Sequence, residues 1–417
     1  MPAKGAQVNV IVGGGVVGLS VAWQLARQGH PVTVVDPAPG KGASYAAAGM
    51  LAPVSEVTYT ETPLLRLGAA SLRRWPAFAA QLTADAGLTA DAGLTADARP
   101  GTDAGRGAGG GSDRRGWQAA GPGPAAVEGL DLRTEGTLDV AFGADDMAAL
   151  EELAAYMEKL GLPVERLTGR ECRWLEPMLA PSVRGGLLAS GDAWVDPRRV
   201  TAALLTALER RGVPVVRARV TELLYEGGAV VGVRLAPPEE LEAGGMPSEL
   251  AAERVVLAAG AWSAGLAEVP VRPVKGQIMR LRSPQPLLGR CVRGTVHGSS
   301  VYLVPRGDGE LVVGATQEEM GFDTRVTAGG LYELLRDARE LVPGVTELEV
   351  ADVVAGLRPG TPDNLPVIGP SGTPGLTFAT GHHRGGVLLA PLTTAILLGE
   401  ESELAALCAP GRFREIS

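Results

Sequence analysis

The feature that most constrains the fold of this chain is a glycine-rich turn near its start. An apolar stretch at residues 8–12, typical of a buried strand, runs into the sequence Gly-Gly-Gly-Val-Val-Gly at residues 13–18. Apolar residues then recur at helical spacing up to about Gln28, and Gly29 is placed to end that helix. A second apolar stretch at 32–35 ends at Asp36. A G-x-G-x-x-G turn between strand and helix, followed by a strand with a terminal acid, predicts adenine-dinucleotide binding.

Each part of this motif has a physical task in such a site. Gly13 permits the tight turn, Gly15 lets the backbone approach a pyrophosphate, and Gly18 lets the helix pack closely on the strand. The carboxylate of Asp36 is expected to accept a ribose hydroxyl. Free N–H groups at the helix N-terminus face the phosphates, which adds two cofactor-binding residues, Val16 and Val17.

Composition narrows the class of protein. The net charge of −9 argues against a nucleic-acid or anionic-membrane partner, because either would need a basic surface. Three widely spaced cysteines fit neither a disulfide framework nor a zinc site, so we expect packing roles for them and a cytoplasmic protein. The early apolar stretch is broken by glycines and does not fit a secretory signal, and no apolar run reaches the roughly 20 residues of a transmembrane helix.

The order of strand and helix patterns predicts two domains. Strands and helices alternate at both ends of the chain and the centre is rich in strands, so we expect an α/β and α+β protein in which a Rossmann-like nucleotide domain is interrupted by an antiparallel-sheet domain. The nucleotide domain is predicted at 1–83, 198–265 and 355–417, and the sheet domain at 127–197 and 266–354. The unit Leu-Thr-Ala-Asp-Ala-Gly at 82–87 is repeated at 88–93, and residues 105–123 are rich in Gly, Arg and Asp, so residues 84–126 are predicted to be a flexible low-complexity insertion.

Three stretches together point to a family. They are residues 13–36, the loop Ala-Ser-Tyr-Ala-Ala-Ala-Gly-Met-Leu-Ala-Pro at 43–53, and two late segments, 355–369 (Ala-Gly-Leu-Arg-Pro-Gly-Thr-Pro-Asp-Asn-Leu-Pro-Val-Ile-Gly) and 379–391 (Ala-Thr-Gly-His-His-Arg-Gly-Gly-Val-Leu-Leu-Ala-Pro). With them the chain resembles the D-amino-acid oxidase superfamily of flavoproteins, and within it the glycine oxidases that serve thiamine-thiazole synthesis. The resemblance covers nearly the whole chain except the insertion.

The resemblance implies FAD as the cofactor. Sarcosine oxidases of the same superfamily attach flavin covalently through a cysteine, and the equivalent stretch 356–369 contains none, so we expect non-covalent FAD. The 44–49 loop is expected to wrap the flavin, and the turn at 381–388 to aim a helix N-terminus at it, where negative charge develops on reduction. The cofactor-binding residues implied in this way are Ser44, Ala47, Ala48, Gly49, Met50, Val220, Gly260, Trp262, Gly381, Arg384, Gly385, Gly386, Val387 and Leu388.

The resemblance also implies the substrate-binding residues. Arg358 is the expected anchor of a substrate carboxylate, since a guanidinium matches a carboxylate with two parallel hydrogen bonds. The alternative is that Arg358 pairs with a nearby acid of the protein. Tyr302 is expected to bond the same carboxylate, or else to be an ordinary half-buried strand aromatic. Arg384 at the mouth and Met50 at the wall complete the set, with packing or pairing with solvent as the alternative for each.

Two positions depart from relatives. Ser300 stands where close relatives carry histidine, and Gln317 stands where at least some carry an apolar residue. Selectivity among glycine, sarcosine and small D-amino acids therefore stays open. His382 and His383 are interpreted as structural, because the implied chemistry transfers hydride directly to the flavin and needs no side-chain base.

The sequence thus predicts an enzyme that oxidises a small amino acid, glycine first, and reduces dioxygen to hydrogen peroxide. Three other functions stay open: a D-amino-acid dehydrogenase with a quinone acceptor, an NAD-dependent oxidoreductase, and a non-catalytic flavin-binding module. The expected partners are the amino acid, dioxygen and further copies of the same chain, with neither nucleic acid nor a metal.

Overall fold

The computed structural model of the chain describes residues 8–56, 59–88, 128–237, 248–296 and 298–413. The strands found in these ranges are β1 (Asn9–Val12), β2 (Val32–Val35), β3 (Met50–Leu51), β4 (Thr137–Ala141), β5 (Glu165–Thr168), β6 (Gly185–Ala189), β7 (Ala193–Trp194), β8 (Val215–Val216), β9 (Arg219–Glu226), β10 (Ala229–Ala236), β11 (Glu249–Ala251), β12 (Arg254–Leu257), β13 (Arg272–Arg282), β14 (Cys291–Val296), β15 (Ser299–Pro305), β16 (Glu310–Gly314), β17 (Glu349–Gly360), β18 (Val367–Pro370) and β19 (Leu376–Thr380).

The α-helices in the same ranges are α1 (Val16–Arg27), α2 (Ala43–Ala46), α3 (Thr62–Leu72), α4 (Trp75–Ala86), α5 (Ala144–Lys159), α6 (Gly169–Leu175), α7 (Pro197–Arg210), α8 (Ala328–Leu341) and α9 (Gly386–Leu397). Short 3₁₀ helices lie at Glu128–Leu130, Gly260–Gly265, Pro343–Glu347, His383–Gly385, Ala405–Cys408 and Pro410–Phe413.

A six-stranded sheet carries the glycine-rich turn. Its order is β18-β19-β12-β1-β2-β8, and all neighbours are parallel except β18 and β19. β1 is buried along its whole length, as expected for a central strand with covered faces. A Cβ at Gly18 would lie 2.0 Å from the carbonyl oxygen of Gly13, so only glycine lets α1 start this close to β1. The strand, turn, helix and second strand lie as the sequence predicted.

An eight-stranded sheet forms the other large layer. Its order is β17-β13-β16-β15-β14-β4-β6-β5, and most neighbouring pairs are antiparallel. The long strands β13 and β17 pair along their length and place the residues 355–360 beside residues 272–277. Helix α8 packs across this sheet and buries Leu334, Ala338 and Leu341. The mixed α/β and α+β architecture expected from the sequence is confirmed.

Two expectations meet the structure only in part. Helix α4 continues to Ala86, and Gly87 ends it in the left-handed conformation, so the helix extends past the predicted start of the insertion at residue 84. Residues 89–127, which hold nearly all of the predicted insertion, lie outside the described residues. The exact domain boundaries stay a prediction. Among the described helices, none is long and apolar enough to cross a membrane.

Candidate active site

A cavity of about 800 Å³ runs between the two large sheets. At one end it is lined by the glycine-rich turn, Asp36 and Val220, and at the other by side chains of the eight-stranded sheet. The loop 42–50 and the 3₁₀ segment at Gly260–Gly265 form walls between these ends. A single continuous space therefore connects the predicted nucleotide-binding residues with the predicted substrate-binding residues.

The nucleotide end is built mainly from backbone groups. The carboxylate of Asp36 accepts hydrogen bonds from Gly14 N and Ala38 N, both at 2.7 Å. Burial raises the pKa of Asp36, and these two backbone bonds oppose the rise. Ser44 Oγ accepts a 2.9 Å hydrogen bond from Val16 N at the start of α1. This contact ties the 42–50 loop to the helix N-terminus, where first-turn N–H groups lack helical partners.

Most of the predicted cofactor residues line this cavity. The residues that do so are Gly13, Gly15, Val16, Val17, Asp36, Ser44, Ala47, Ala48, Gly49, Met50, Val220, Gly260, Trp262, Arg384, Gly386 and Val387. Four others do not line it: Gly18, Gly381, Gly385 and Leu388. Leu388 instead anchors α9, since its carbonyl oxygen accepts hydrogen bonds from Ser71 Oγ and Trp75 Nε1.

Arg358 on β17 reaches the opposite end of the cavity. Its guanidinium lies over Gly276 of β13, where a Cβ would be 2.3 Å from Arg358 Nη1. The same nitrogen donates to Thr316 O at 3.2 Å and to Lys275 O at 3.4 Å. No carboxylate of the described residues lies within 4 Å of this guanidinium, so the alternative of a structural ion pair for Arg358 finds no partner there. The arrangement leaves a positive charge facing the cavity.

Tyr302 on β15 stands beside Arg358 in the cavity wall. Its ring covers Gly314 of the neighbouring strand, where a Cβ would be 2.5 Å from ring carbons. Burial raises the pKa of Tyr302 to about 12, and the charge of Arg358 is the largest opposing effect. The phenol therefore stays neutral and can donate a hydrogen bond. Met50 on β3 contributes an apolar side chain to the same region.

Arg384 differs from Arg358 because it is ion-paired. Its Nη2 lies 2.8 Å from Glu61 Oε2, and Glu61 Oε1 also accepts from Asn364 Nδ2 at 2.7 Å. Arg384 therefore has an acidic partner within the protein, which its sequence neighbours do not indicate. Arg384 still lines the cavity mouth, but its charge is largely compensated.

The two histidines of the 381–386 turn are neutral at physiological pH. Burial lowers the pKa of His382 to about 3, and its Nε2 lies 2.9 Å from Thr393 Oγ1. Because Thr393 Oγ1 donates to Leu389 O, the histidine Nε2 must carry the proton in this pair. Burial, followed by the charges of Arg384 and Arg358, lowers the pKa of His383 to about 4. Both values fit the structural interpretation of these residues.

Sequence reasoning missed three residues at the substrate end: Gly276, Glu56 and Arg293. Glu56 lines the cavity, and its carboxylate makes no hydrogen bond or ion pair with the described residues. Arg293 on β14 lies opposite Tyr302 in the strand pairing, with its Nε 3.3 Å from Asp139 Oδ2 and its Nη1 donating to Ser55 O at 2.7 Å. Only the pairing register of β14 with β15 could have indicated that Arg293 lies at the substrate end. Ser300 and Gln317, named from the sequence, also line the cavity.

The fold and the cavity together define a dinucleotide-binding protein whose second sheet lines the same cavity and brings the guanidinium of Arg358 to it. The sequence profile described as DAO, FAD dependent oxidoreductase, matches residues 10–122 and 124–399. The chain therefore belongs to this family of FAD-dependent oxidoreductases.

Individual relatives agree with this assignment. A glycine oxidase of Geobacillus kaustophilus is 33% identical over 411 residues, covering 96% of this chain and 94% of the relative. A bifunctional protein ThiO/ThiG of Nostoc sp. is 32% identical over 389 residues, covering 93% of this chain. The chain spans about half the length of that bifunctional relative (51%). The crystal structure of glycine oxidase from Geobacillus kaustophilus superposes with a TM-score of 0.79 at 30% identity, covering 98% of this chain and 99% of that one.

The residues present fit FAD. A Cβ at Gly15 would meet nothing closer than Ser44 Oγ at 3.4 Å, so the turn leaves open space where a pyrophosphate approaches the backbone. The first turns of α1 and α9 both border the cavity. Their N–H groups would offer donors to the phosphates and to the flavin ring of a bound FAD respectively. All three cysteines are buried and free, in agreement with their predicted packing role.

Proposed function

We propose that this protein is an FAD-dependent oxidase of small amino acids, with glycine as its first substrate. The observation that carries the proposal is the unneutralised guanidinium of Arg358, which faces the FAD cavity beside the neutral hydroxyl of Tyr302. A charged donor fork next to a neutral donor suits a carboxylate, and the glycine oxidases among the relatives support this substrate class.

The side chains at this end bind and orient the substrate. Arg358 holds the carboxylate and Tyr302 donates a further hydrogen bond to it, which fixes the direction in which Cα projects into the cavity. The wall around Met50 excludes water from the reacting carbon. The hydride-accepting and dioxygen-reducing chemistry of the reaction would be supplied by FAD held in this cavity. In the overall reaction the amino acid loses a hydride from Cα and a proton from nitrogen, dioxygen becomes hydrogen peroxide, and water converts the imine to a 2-oxo acid and ammonia.

The proposal also assigns a metabolic use to the product of the reaction. The bifunctional ThiO/ThiG relatives and the resemblance noted in the sequence support an imine that feeds thiamine-thiazole synthesis. We also propose a cytoplasmic homo-oligomer: the three buried, free cysteines suit a reducing compartment, and light scattering would measure the oligomeric state.

An anaerobic titration of the purified protein tests the reaction. Glycine, sarcosine, D-alanine and D-proline are added in turn while flavin absorbance is followed, and air is then admitted. Bleaching by glycine, followed by reoxidation with peroxide formation, is the expected result. Bleaching without reoxidation in air would identify a dehydrogenase that uses another acceptor such as a quinone.

A flavin-binding module without catalytic activity would behave differently in the same experiment. No bleaching by any of the four compounds would contradict the proposed substrate class and favour such a module. Family membership already favours FAD over NAD. The polar side chains Ser300 and Gln317 lie at the substrate end, so the ranking of the four compounds measures how they set the pocket size.

A further inference from the structure

Two buried arginines of the eight-stranded sheet lie behind the cavity loop. Arg280 on β13 is fully buried, and Arg306, which directly follows β15, is 3% exposed. Arg280 Nη2 donates to Ala47 O at 3.4 Å, and Arg306 Nη2 donates to Ala48 O. Buried arginines are rare because desolvation of the charge is costly. Both arginines bind carbonyl groups of the same loop, and the two carbonyls are consecutive. The contacts therefore fix the orientation of this loop.

The geometry of the peptide shows which groups the loop turns toward the cavity. In a trans peptide the carbonyl and the N–H point in opposite directions. Because the carbonyls of Ala47 and Ala48 are directed at the arginines, the N–H groups of Ala48 and Gly49 are directed away from them. These residues line the cavity, and neither N–H has an acceptor among the described residues. Buried N–H groups are almost always paired, so this pair of donors points to a bound acceptor.

Further contacts hold the loop in this orientation. Arg306 Nη1 donates to Val195 O at 3.0 Å, and Val195 N donates to Gly49 O at 2.9 Å. The arginine therefore fastens the loop and the end of β7 to each other. Trp194 on β7 adds a third attachment, since its Nε1 donates to Pro305 O at 2.8 Å.

The two arginines differ in how their charge is compensated. Arg280 is paired with the carboxylate of Glu310 through Nη1. Arg306 has no carboxylate within 4 Å among the described residues, and its Nη1 and Nη2 both donate to neutral carbonyls. The carboxylates that act on Arg306, those of Asp196, Asp131 and Glu310, all lie beyond ion-pair distance, so a positive charge without a contacting acid stands behind the donors that face the cavity. Its field adds to the polarisation of the Ala48–Gly49 peptide.

We propose that Arg306 is a positioning residue of the FAD site: it orients the Ala48–Gly49 peptide so that its N–H faces the flavin, and its charge favours the reduced, more negative flavin over the oxidised one. The proposal rests on FAD binding, which family membership establishes, and not on the identity of the amino-acid substrate. The test therefore needs no substrate, and a failed glycine titration would leave it intact.

The midpoint potential of the bound FAD, measured by dye equilibration on the holoenzyme, tests the charge effect. In Arg306→Gln we expect reduced FAD to bind about tenfold more weakly relative to oxidised FAD, which for a two-electron couple lowers the potential by about 30 mV. Arg306→Lys keeps the charge and is expected to keep the potential near that of the wild type. Glu310→Gln removes the carboxylate that pairs with Arg280 and whose charge also acts on Arg306, so it leaves the positive charge of both arginines less compensated and should raise the potential.

The midpoint potential is expected to fall in Arg306→Gln and to rise in Glu310→Gln. These opposite shifts distinguish an electrostatic role from a merely structural one. Arg282→Gln is the matched control, because it removes an exposed charge from the same strand as Arg280 and should leave the potential unchanged. If Arg306→Gln does not retain FAD, the other two variants test the proposal. A raised potential in Glu310→Gln together with a wild-type potential in Arg306→Lys supports it. An unchanged potential in Glu310→Gln, or equal shifts in Arg306→Gln and Arg282→Gln, overturns it.

Discussion

The two ends of the cavity are constructed in different ways. The nucleotide end comes mostly from one continuous stretch, residues 13–44, joined by Val220 of β9, and is built mainly from backbone groups. The substrate end comes from side chains on separate strands: Tyr302 on β15, Arg358 on β17 and Arg293 on β14. Each of these side chains is positioned by a neighbouring strand rather than by its own sequence neighbours.

The difference determines what a substitution does at each end. Backbone donors are not removed by side-chain changes, so the nucleotide end should tolerate most substitutions that leave its glycines in place. The substrate end depends on single charged groups held over glycines, so one altered atom there should affect catalysis strongly. The following variants test this contrast, from the largest expected effect to the smallest.

Removing the carboxylate anchor should have the largest effect. Arg358→Leu deletes the cavity-facing guanidinium and is expected to lower kcat/KM for the amino acid about 10³-fold, since a charge-assisted bidentate contact is lost. FAD content, measured from the absorbance ratio, should stay unchanged. Arg384→Leu is the matched control, and the smaller loss expected there reflects its pairing with Glu61. Equal losses in both variants would contradict the special role of Arg358.

The free energy of unfolding should depend on pH through Asp192, which lies near the substrate end. Asp192 accepts from Val54 N at 3.1 Å and Ser55 N at 3.0 Å, and burial raises its pKa from 3.8 to about 6. The folded state therefore holds more protons between these values, so the contribution of Asp192 to the free energy of unfolding is largest below pH 4 and falls by about 3 kcal/mol as the pH rises to 7.

Urea unfolding of the wild type and of Asp192→Asn at pH 4 and pH 7 measures this term. The difference between the two proteins should change with pH in the stated direction, because asparagine does not titrate. A difference that is constant from pH 4 to pH 7 would show that Asp192 has an ordinary pKa in the folded protein.

Displacing Arg358 without deleting it should have a smaller effect. In Gly276→Ala the new methyl group would lie 2.3 Å from Arg358 Nη1, so the guanidinium must move. We expect KM for the amino acid to rise about 30-fold, with bound FAD unchanged, because a shift of about 1 Å in a positioning group costs up to about 100-fold. Gly191→Ala, which meets nothing within 4 Å, is the control and should behave like the wild type. A wild-type KM in Gly276→Ala would show that Arg358 does not need its present position.

The smallest effect is expected at the nucleotide end. Asp36→Ala removes a carboxylate but leaves the glycine turn and the N-terminus of α1, so we expect FAD to bind about tenfold more weakly, the size of one hydrogen bond to a charged group. Once saturated with FAD, the variant should keep kcat within about twofold of the wild type, as a group remote from the reacting carbon should. Asp145→Ala, at an exposed position on α5, controls for net charge. Loss of kcat at saturating FAD would show that the two ends are coupled.

The local parts of the fold could be predicted because the residues that cause them are neighbours. The turn at 13–18, the helix to about residue 28 and the acid at the end of β2 follow from glycine spacing and apolar periodicity. The N-cap of α7 follows in the same way, since Asp196 precedes Pro197 and its side chain accepts from Arg198 N at 2.8 Å. The relatives and the family profile confirm FAD and the enzyme class that the resemblance implied.

The sequence by itself determined the dinucleotide turn, the strand-and-helix order of the two layers and, through resemblance, Arg358 and Tyr302 as candidates. The tertiary structure alone decided which arginine lacks an acidic partner and which is paired: Arg384 meets Glu61 across more than 300 residues, whereas Arg358 lies over Gly276 with no acid of the described residues beside it. Arg293 and Arg306 likewise gain their roles from strand register and burial. The physical reason is that a charge acts according to the distance and solvent exposure of its neighbours, and folding sets both.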